Sequence, residues 1–172
     1  MPGSFDFFND DVKNFVCTNF VPGSNILDVG PGAGKYGKMF KDKYQIDGCE
    51  IFNPYIFQYG LEKIYRKVYN EDICKFVFTR GNYDLIILGD ILEHIKVEPA
   101  QTLVKRLNED LGAALLILVP YGYHQGVSHG NVHEIHEQPD LTEKLFHERY
   151  PGFTKILGND KQGVFFKAAT KV

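Results

Sequence analysis

Acids, glycines and histidines are spaced along this 172-residue chain in a way that outlines a ligand site before any fold is considered. Asp28 stands two residues before Gly30, and Gly32 and Gly34 follow in a GxGxG spacing. Glycines so placed let a backbone turn sharply and bring its amides close to a ligand. Glu50 follows about twenty residues after the turn, the interval at which an acid can take the hydroxyls of a bound ribose. Asp72, Asp90, Glu93 and His94 come next, and His124, His129, His133 and His136 crowd one later stretch with Glu134 and Glu137. Imidazole and carboxylate together can move a proton or hold zinc, iron or nickel.

Asp28 sets the charge of the ligand. A helix N-terminus favours a pyrophosphate through its amide hydrogens and dipole, and a carboxylate in that turn opposes one. A ligand carrying positive charge near the loop suits the position better, and S-adenosylmethionine, with its ammonium and sulfonium, is such a ligand. Leu27-Asp28-Val29-Gly30-Pro31-Gly32-Ala33-Gly34 resembles the first motif of the class I S-adenosylmethionine-dependent methyltransferases. A purely structural strand-to-helix turn is the competing reading.

The resemblance implies a set of cofactor-binding residues: Asp28, Gly30, Gly32 and Gly34 at the turn, then Glu50 for the ribose. A solvated surface glutamate is the alternative for Glu50. Ile51 and Phe52 are placed to contact the adenine face, and Asp72 with Ile73 resembles the adenine-binding segment. Asp72 could equally cap a helix from Cys74 to Phe78. Asp90-Ile91-Leu92-Glu93-His94 resembles the segment after the fourth strand, where backbone groups at Gly89 and Asp90 would hold the cofactor's ammonium. There Asp90, Glu93 and His94 face the substrate side or support the loop. Gly130-Asn131-Val132-His133-Glu134-Ile135-His136 resembles a loop of small bacterial methyltransferases, in which His133 or His136 lines the acceptor pocket or orders the loop. Metal ligation is the third reading of these histidines; their HxxxHxxH spacing matches no metal motif, so no metal is expected. His94, His133, His136 and Asp90 are the candidate bases, with none singled out.

These residues need elements to hold them. Phe5, Phe8, Val12, Phe15, Val16 and Phe20 recur at helical spacing before Pro22-Gly23, so the first element is an amphipathic helix that packs on the sheet or partly roofs the cleft. Apolar strands are expected at Asn25–Val29, Gln45–Glu50, Val68–Tyr69, Tyr83–Gly89 and Ala113–Val119. Helical patterns run from Ala33 to about Lys43, from Asn53 past Ile64, across Leu103 to Leu111, and from Asp140 to Tyr150. Gly158 to Gly163, between two apolar runs, signals a closing hairpin. The expectation is an α/β fold: a doubly wound, seven-stranded, mostly parallel sheet with a C-terminal antiparallel hairpin and helices on both faces. It forms one domain over 1–172, with an N-terminal helix in 1–22 and a Rossmann-like core in 23–172.

Composition narrows the class. With 44% hydrophobic and 24% charged residues, the chain reads as an ordinary globular domain. No apolar run approaches a membrane span, and the first residues lack a secretory pattern, so a cytoplasmic location is expected. Cys17, Cys49 and Cys74 lack CxxC spacing and read as reduced thiols. A net charge of -3 gives no basic footprint for nucleic acid. No Asn-Pro-Pro-Tyr segment follows the fourth strand, which disfavours methylation of a base. The expected function is methyl transfer to a small-molecule acceptor of unknown identity, and the oligomeric state is open. The alternatives are a non-catalytic S-adenosylmethionine-binding or scaffold module and a nicotinamide-dependent oxidoreductase.

Overall fold

The computed structural model describes residues 6–170. Seven strands form one sheet: β1 (Asn25–Val29), β2 (Gln45–Cys49), β3 (Val68–Tyr69), β4 (Leu85–Gly89), β5 (Ala114–Pro120), β6 (Thr154–Gly158) and β7 (Gln162–Lys167). Their order is β3-β2-β1-β4-β5-β7-β6. The first five run parallel, while β7 lies antiparallel against β5 and β6. The sequence reading anticipated this mixed sheet and its closing hairpin.

Period-two alternation divides the central strands between two cores. Leu115, Ile117 and Val119 of β5 face one cluster with Ile86 and Leu88 of β4. Leu116 and Leu118 face the other with Leu85 and Ile87. Helices α4 (Val97–Lys105) and α5 (Glu143–Arg149) cover the first face, through Leu103, Val104 and Phe146. Helices α1 (Asn9–Asn19), α2 (Lys35–Phe40) and α3 (Asn53–Gln58) cover the second, through Val12, Val16, Phe40 and Ile56. Every side chain of β5 is buried, as a parallel strand sheathed on both faces requires. Among the described residues no helix is long and apolar enough to cross a membrane.

Two expectations are corrected. No helix spans Cys74–Phe78: one turn follows Asp72, after which Phe76 and Phe78 extend and pack at 4.2 Å from each other, against Tyr69 and Tyr83. The helical pattern from Asn53 past Ile64 breaks at Gly60, whose φ of 60° begins a separate 3-10 turn at Leu61–Lys63. The long first helix begins at Asn9; Phe5, counted on its apolar stripe, lies outside the described residues.

Candidate functional site

The carboxyl ends of β1, β2 and β4 open into a cleft of about 390 Å³. In doubly wound sheets this is where the crossovers diverge and ligands lie. Gly30 and Gly32 line it with bare backbone at φ 63° and 51°, in the left-handed region that glycine enters without strain. A Cβ on Gly30 would stand 2.1 Å from Ile91 Cδ1 and would be strained at φ 63°, so a side chain here would push Ile91 aside and bend the turn. The Gly30 amide donates to the Cys49 carbonyl at 2.9 Å, joining the turn to the end of β2. Gly34 begins α2 away from the cleft wall, with φ 79° and Ile64 against it.

Asp28 lies behind this turn. Its side chain is 1% exposed and does not line the cleft. The Tyr65 hydroxyl donates to Oδ2 at 2.5 Å and itself accepts the Gly37 amide of α2 at 3.1 Å. Burial pushes the Asp28 carboxyl up to about 7, against the pull of the Tyr65 bond. The sequence argument set this charge at the ligand face; the fold turns it inward, where it braces the turn through Tyr65.

Glu50, immediately past β2, faces the cleft and is 4% exposed, which rules out a solvated surface role. Its Oε1 accepts the Phe52 amide at 2.8 Å, and the Asn70 amide group holds its carbonyl at 2.8 Å. Burial raises its carboxyl to about 7, with the amides of Phe52 and Gly32 pulling the other way. Ile51 and Ile73 line the same end, whereas Phe52 packs against Tyr55 instead, ring centroids 4.8 Å apart. Asp72 lines the cleft while its Oδ1 accepts the Cys74 amide at 2.9 Å, so it closes a local turn rather than capping a helix.

The opposite end is built from the segment after β4 and the loop after β5. Gly89 leaves no room for a Cβ, which would meet the Tyr36 ring at 2.5 Å. Asp90 adopts φ 56°, uncommon for a residue with a side chain. Gln162 of β7 holds it by donating to Oδ1 at 2.9 Å, and burial raises its carboxyl to about 6. Glu93 is 1% exposed, and neither carboxylate oxygen has a hydrogen-bond partner among the described residues. His94 Nδ1 lies 3.2 Å from the Ile135 carbonyl, and His136 Nδ1 lies 2.7 Å from the Tyr123 carbonyl. A carbonyl only accepts, so each Nδ1 carries the proton and each Nε2 keeps a lone pair. Desolvation lowers both imidazoles, which favours their neutral form. The rings meet edge to face at 4.7 Å.

Within 121–138 the loop holds its own shape. Asn131, 2% exposed, accepts the His133 amide at 2.9 Å, and Gln125 donates to the Glu134 carbonyl at 2.9 Å. His133 lines the cleft; His124 and His129 do not. Gln138 then fastens the loop's end: its amide group donates to the carbonyls of Leu92 at 2.8 Å and Ile95 at 2.7 Å. Of the first helix and its approach, Asp6 is the described residue that lines the cleft; Val12, Phe15 and Val16 pack on the sheet, so the roofing role is not observed.

Sequence reasoning missed Tyr65, Gln138 and Gln162. Each is a polar group buried by contacts far along the chain. Gln162 carried the one local hint, an amide at the head of a strand whose next four residues are glycine and apolar side chains.

No protein-family model matches the chain, and no curated protein matches it. Among solved structures it is similar to the 1,6-didemethyltoxoflavin-N1-methyltransferase of Burkholderia thailandensis, at 12% identity and a TM-score of 0.69, over 96% of this chain and 80% of that one. It is also similar to magnesium protoporphyrin IX methyltransferase of Synechocystis, at 14% identity and a TM-score of 0.64, over 95% and 88%. A TehB-like SAM-dependent methyltransferase of Corynebacterium glutamicum matches at 16% identity and a TM-score of 0.65, over 96% and 89%. The fold is that of the class I methyltransferases.

Proposed function

We propose that this chain binds S-adenosylmethionine in the cleft and transfers its methyl group to a small-molecule acceptor. The observation that carries the reading is the charge of the cleft. Glu50, Glu71, Asp72, Asp90 and Glu134 line it against one lysine, Lys35. Such a lining repels the pyrophosphate of a dinucleotide and suits a ligand with ammonium and sulfonium groups. The preference for a cationic ligand thus belongs to the cleft lining as a whole rather than to Asp28.

The residues fit that cofactor. Glu50 is a buried acceptor positioned for the paired hydroxyls of a ribose, Ile51 and Ile73 supply apolar walls for adenine, and Gly30 and Gly32 present backbone without side chains. The Synechocystis and Burkholderia structures, similar in fold, were crystallised with bound S-adenosylhomocysteine. Their names also support a small organic acceptor, which agrees with a cleft of about 390 Å³.

Bound there, the cofactor supplies an electrophilic methyl group already activated by its sulfonium. The chain's part is to hold two reactants in line and exclude water. At the acceptor end His94 and His136 present neutral imidazoles, able to take a proton from an acceptor hydroxyl or ammonium. His133 and Asp90 are the other groups facing that space.

Isothermal titration with S-adenosylmethionine and S-adenosylhomocysteine tests the first half. Saturable binding of both is expected, and silence in both overturns the reading. Release of S-adenosylhomocysteine with a panel of small hydroxyl, amine and carboxyl acceptors tests the second. Cofactor binding with no turnover across the panel would favour a non-catalytic module instead.

A further inference from the structure

We infer that Glu93, His94 and His136 form a binding site for a divalent transition-metal cation at the acceptor end of the cleft. One ligand atom from each of the three lies within 4.8 Å of those of the others. All three line the cleft. The set is two imidazoles and one carboxylate, the donors that zinc, iron(II), cobalt or nickel accept while leaving positions open to a further ligand.

The cluster stands on more than proximity. Glu93 is buried to 1% exposure, and neither of its carboxylate oxygens has a hydrogen-bond partner among the described residues. A carboxylate taken from water without a partner is costly, and a cation is a partner that answers both oxygens. Both histidines hold Nδ1 against a backbone carbonyl, the outer contact that metal-bound histidines commonly make, and keep an Nε2 lone pair that can bind a cation. The ligands of one tetrahedral zinc stand about 3.3 Å apart, so binding would draw this trio together by no more than about 1.5 Å. The loop carrying His136 is already tied to the Glu93 segment: the amides of Glu137 and Gln138 donate to the Glu93 carbonyl at 2.8 and 3.0 Å. Helix-period spacing plays no part in this site; the sheet brings together residues from the ends of β4 and β5.

The cation's open positions would face the acceptor and hold it through an oxygen or nitrogen atom. That role rests on the methyl-transfer reading, whereas binding of the cation does not.

Cobalt(II) titration of the EDTA-stripped full chain, followed by visible d–d absorption and by metal content after dialysis, tests the inference. One cobalt per chain is expected, displaced by zinc. His136→Ala and Glu93→Gln should each weaken cobalt binding at least about tenfold, while His124→Ala, an exposed histidine of the same loop outside the cleft, should keep it. Circular dichroism melts check that the variants fold; should Glu93→Gln fail to fold, His136→Ala, on the loop, decides. Absence of cobalt binding, or binding unchanged in His136→Ala, overturns the site. Cobalt bound by a protein that ignores S-adenosylhomocysteine would sink the methyl-transfer reading and leave the metal site standing.

Discussion

Lowering the pH should weaken cofactor binding through Glu50. Its carboxyl, with an ordinary value of 4.5, is raised to about 7 by burial at the end of β2. A carboxylate accepts the hydroxyls of a ribose better than a carboxylic acid does, so the ionised form is the competent one. With a value near 7, about one-tenth of the molecules are ionised near pH 6 and about nine-tenths near pH 8, which predicts about a tenfold gain in affinity across that range. The same shift acts on stability with a definite sign. Because the folded value lies above the unfolded one, Glu50 contributes stability that is full below about pH 4.5 and is lost as the pH rises through about 7, roughly 3 kcal/mol in all. Glu50→Gln cannot ionise. Its binding should be weaker by about tenfold or more near pH 8, with that part of the pH slope removed, since a hydrogen bond to a charged group contributes about 1.5–3 kcal/mol. Without ligand, its melting temperature should gain on the wild type as the pH rises, by about 2–4 °C per kcal/mol. Titration calorimetry with S-adenosylhomocysteine from about pH 6 to 8, beside thermal melts of both proteins, measures the two effects. A flat wild-type affinity, or an identical slope in Glu50→Gln, would refute the assignment.

Three further outcomes are expected. Asp28→Ala strands the buried Tyr65 hydroxyl and should lower stability by about 1–3 kcal/mol and cofactor affinity with it, whereas Asp28→Asn keeps an acceptor and should bind nearly as the wild type does; equal losses in calorimetry would return the role to charge. Gly89→Ala brings a Cβ to 2.5 Å from the Tyr36 ring, so Tyr36 must move into the cleft it lines, and S-adenosylhomocysteine affinity should fall by more than about tenfold, about 1.4 kcal/mol. Gln138→Leu removes its bonds to the Leu92 and Ile95 carbonyls and to Tyr150, and should cost about 2–4 kcal/mol in urea unfolding while speeding amide exchange in 121–138.

The centre of the sheet was legible because β4 and β5 are unbroken apolar runs, as Leu85–Leu88 and Ala114–Val119 illustrate. The glycine turn and Glu50 were legible for a related reason: strand, turn and acid are ordered along a single stretch of chain. Cys74–Phe78 misled because an Asx turn at Asp72 begins like a helix, and only the rings of Tyr69 in β3 and Tyr83 just before β4 pack Phe76 and Phe78 into an extended path. The direction of Asp28 was hidden as well, since its partner Tyr65 lies 37 residues away. Likewise, His94 and His136 stand more than forty residues apart, and their meeting depends on how β4 and β5 end side by side. Local spacing carries the glycine-turn half of the cleft; tertiary pairing makes the other half.

The loop over 121–138 keeps its shape largely through its own contacts, between Gln125 and Glu134 and around Asn131, and it is fastened to the segment after β4 by Gln138. It therefore behaves as a cassette clasped at its C-terminal end, where the Glu137 and Gln138 amides also hold the Glu93 carbonyl and His94 meets the Ile135 carbonyl. Exposed positions such as Tyr123 and His133 can be exchanged, or the cassette recast in length, without disturbing the strands that carry the glycine turn. Under the proposed methyl-transfer function, acceptor preference would be set at the clasped side and the nucleoside held at the other, so library diversification within 121–137, with His136 and Gln138 retained, is the natural route to new acceptors.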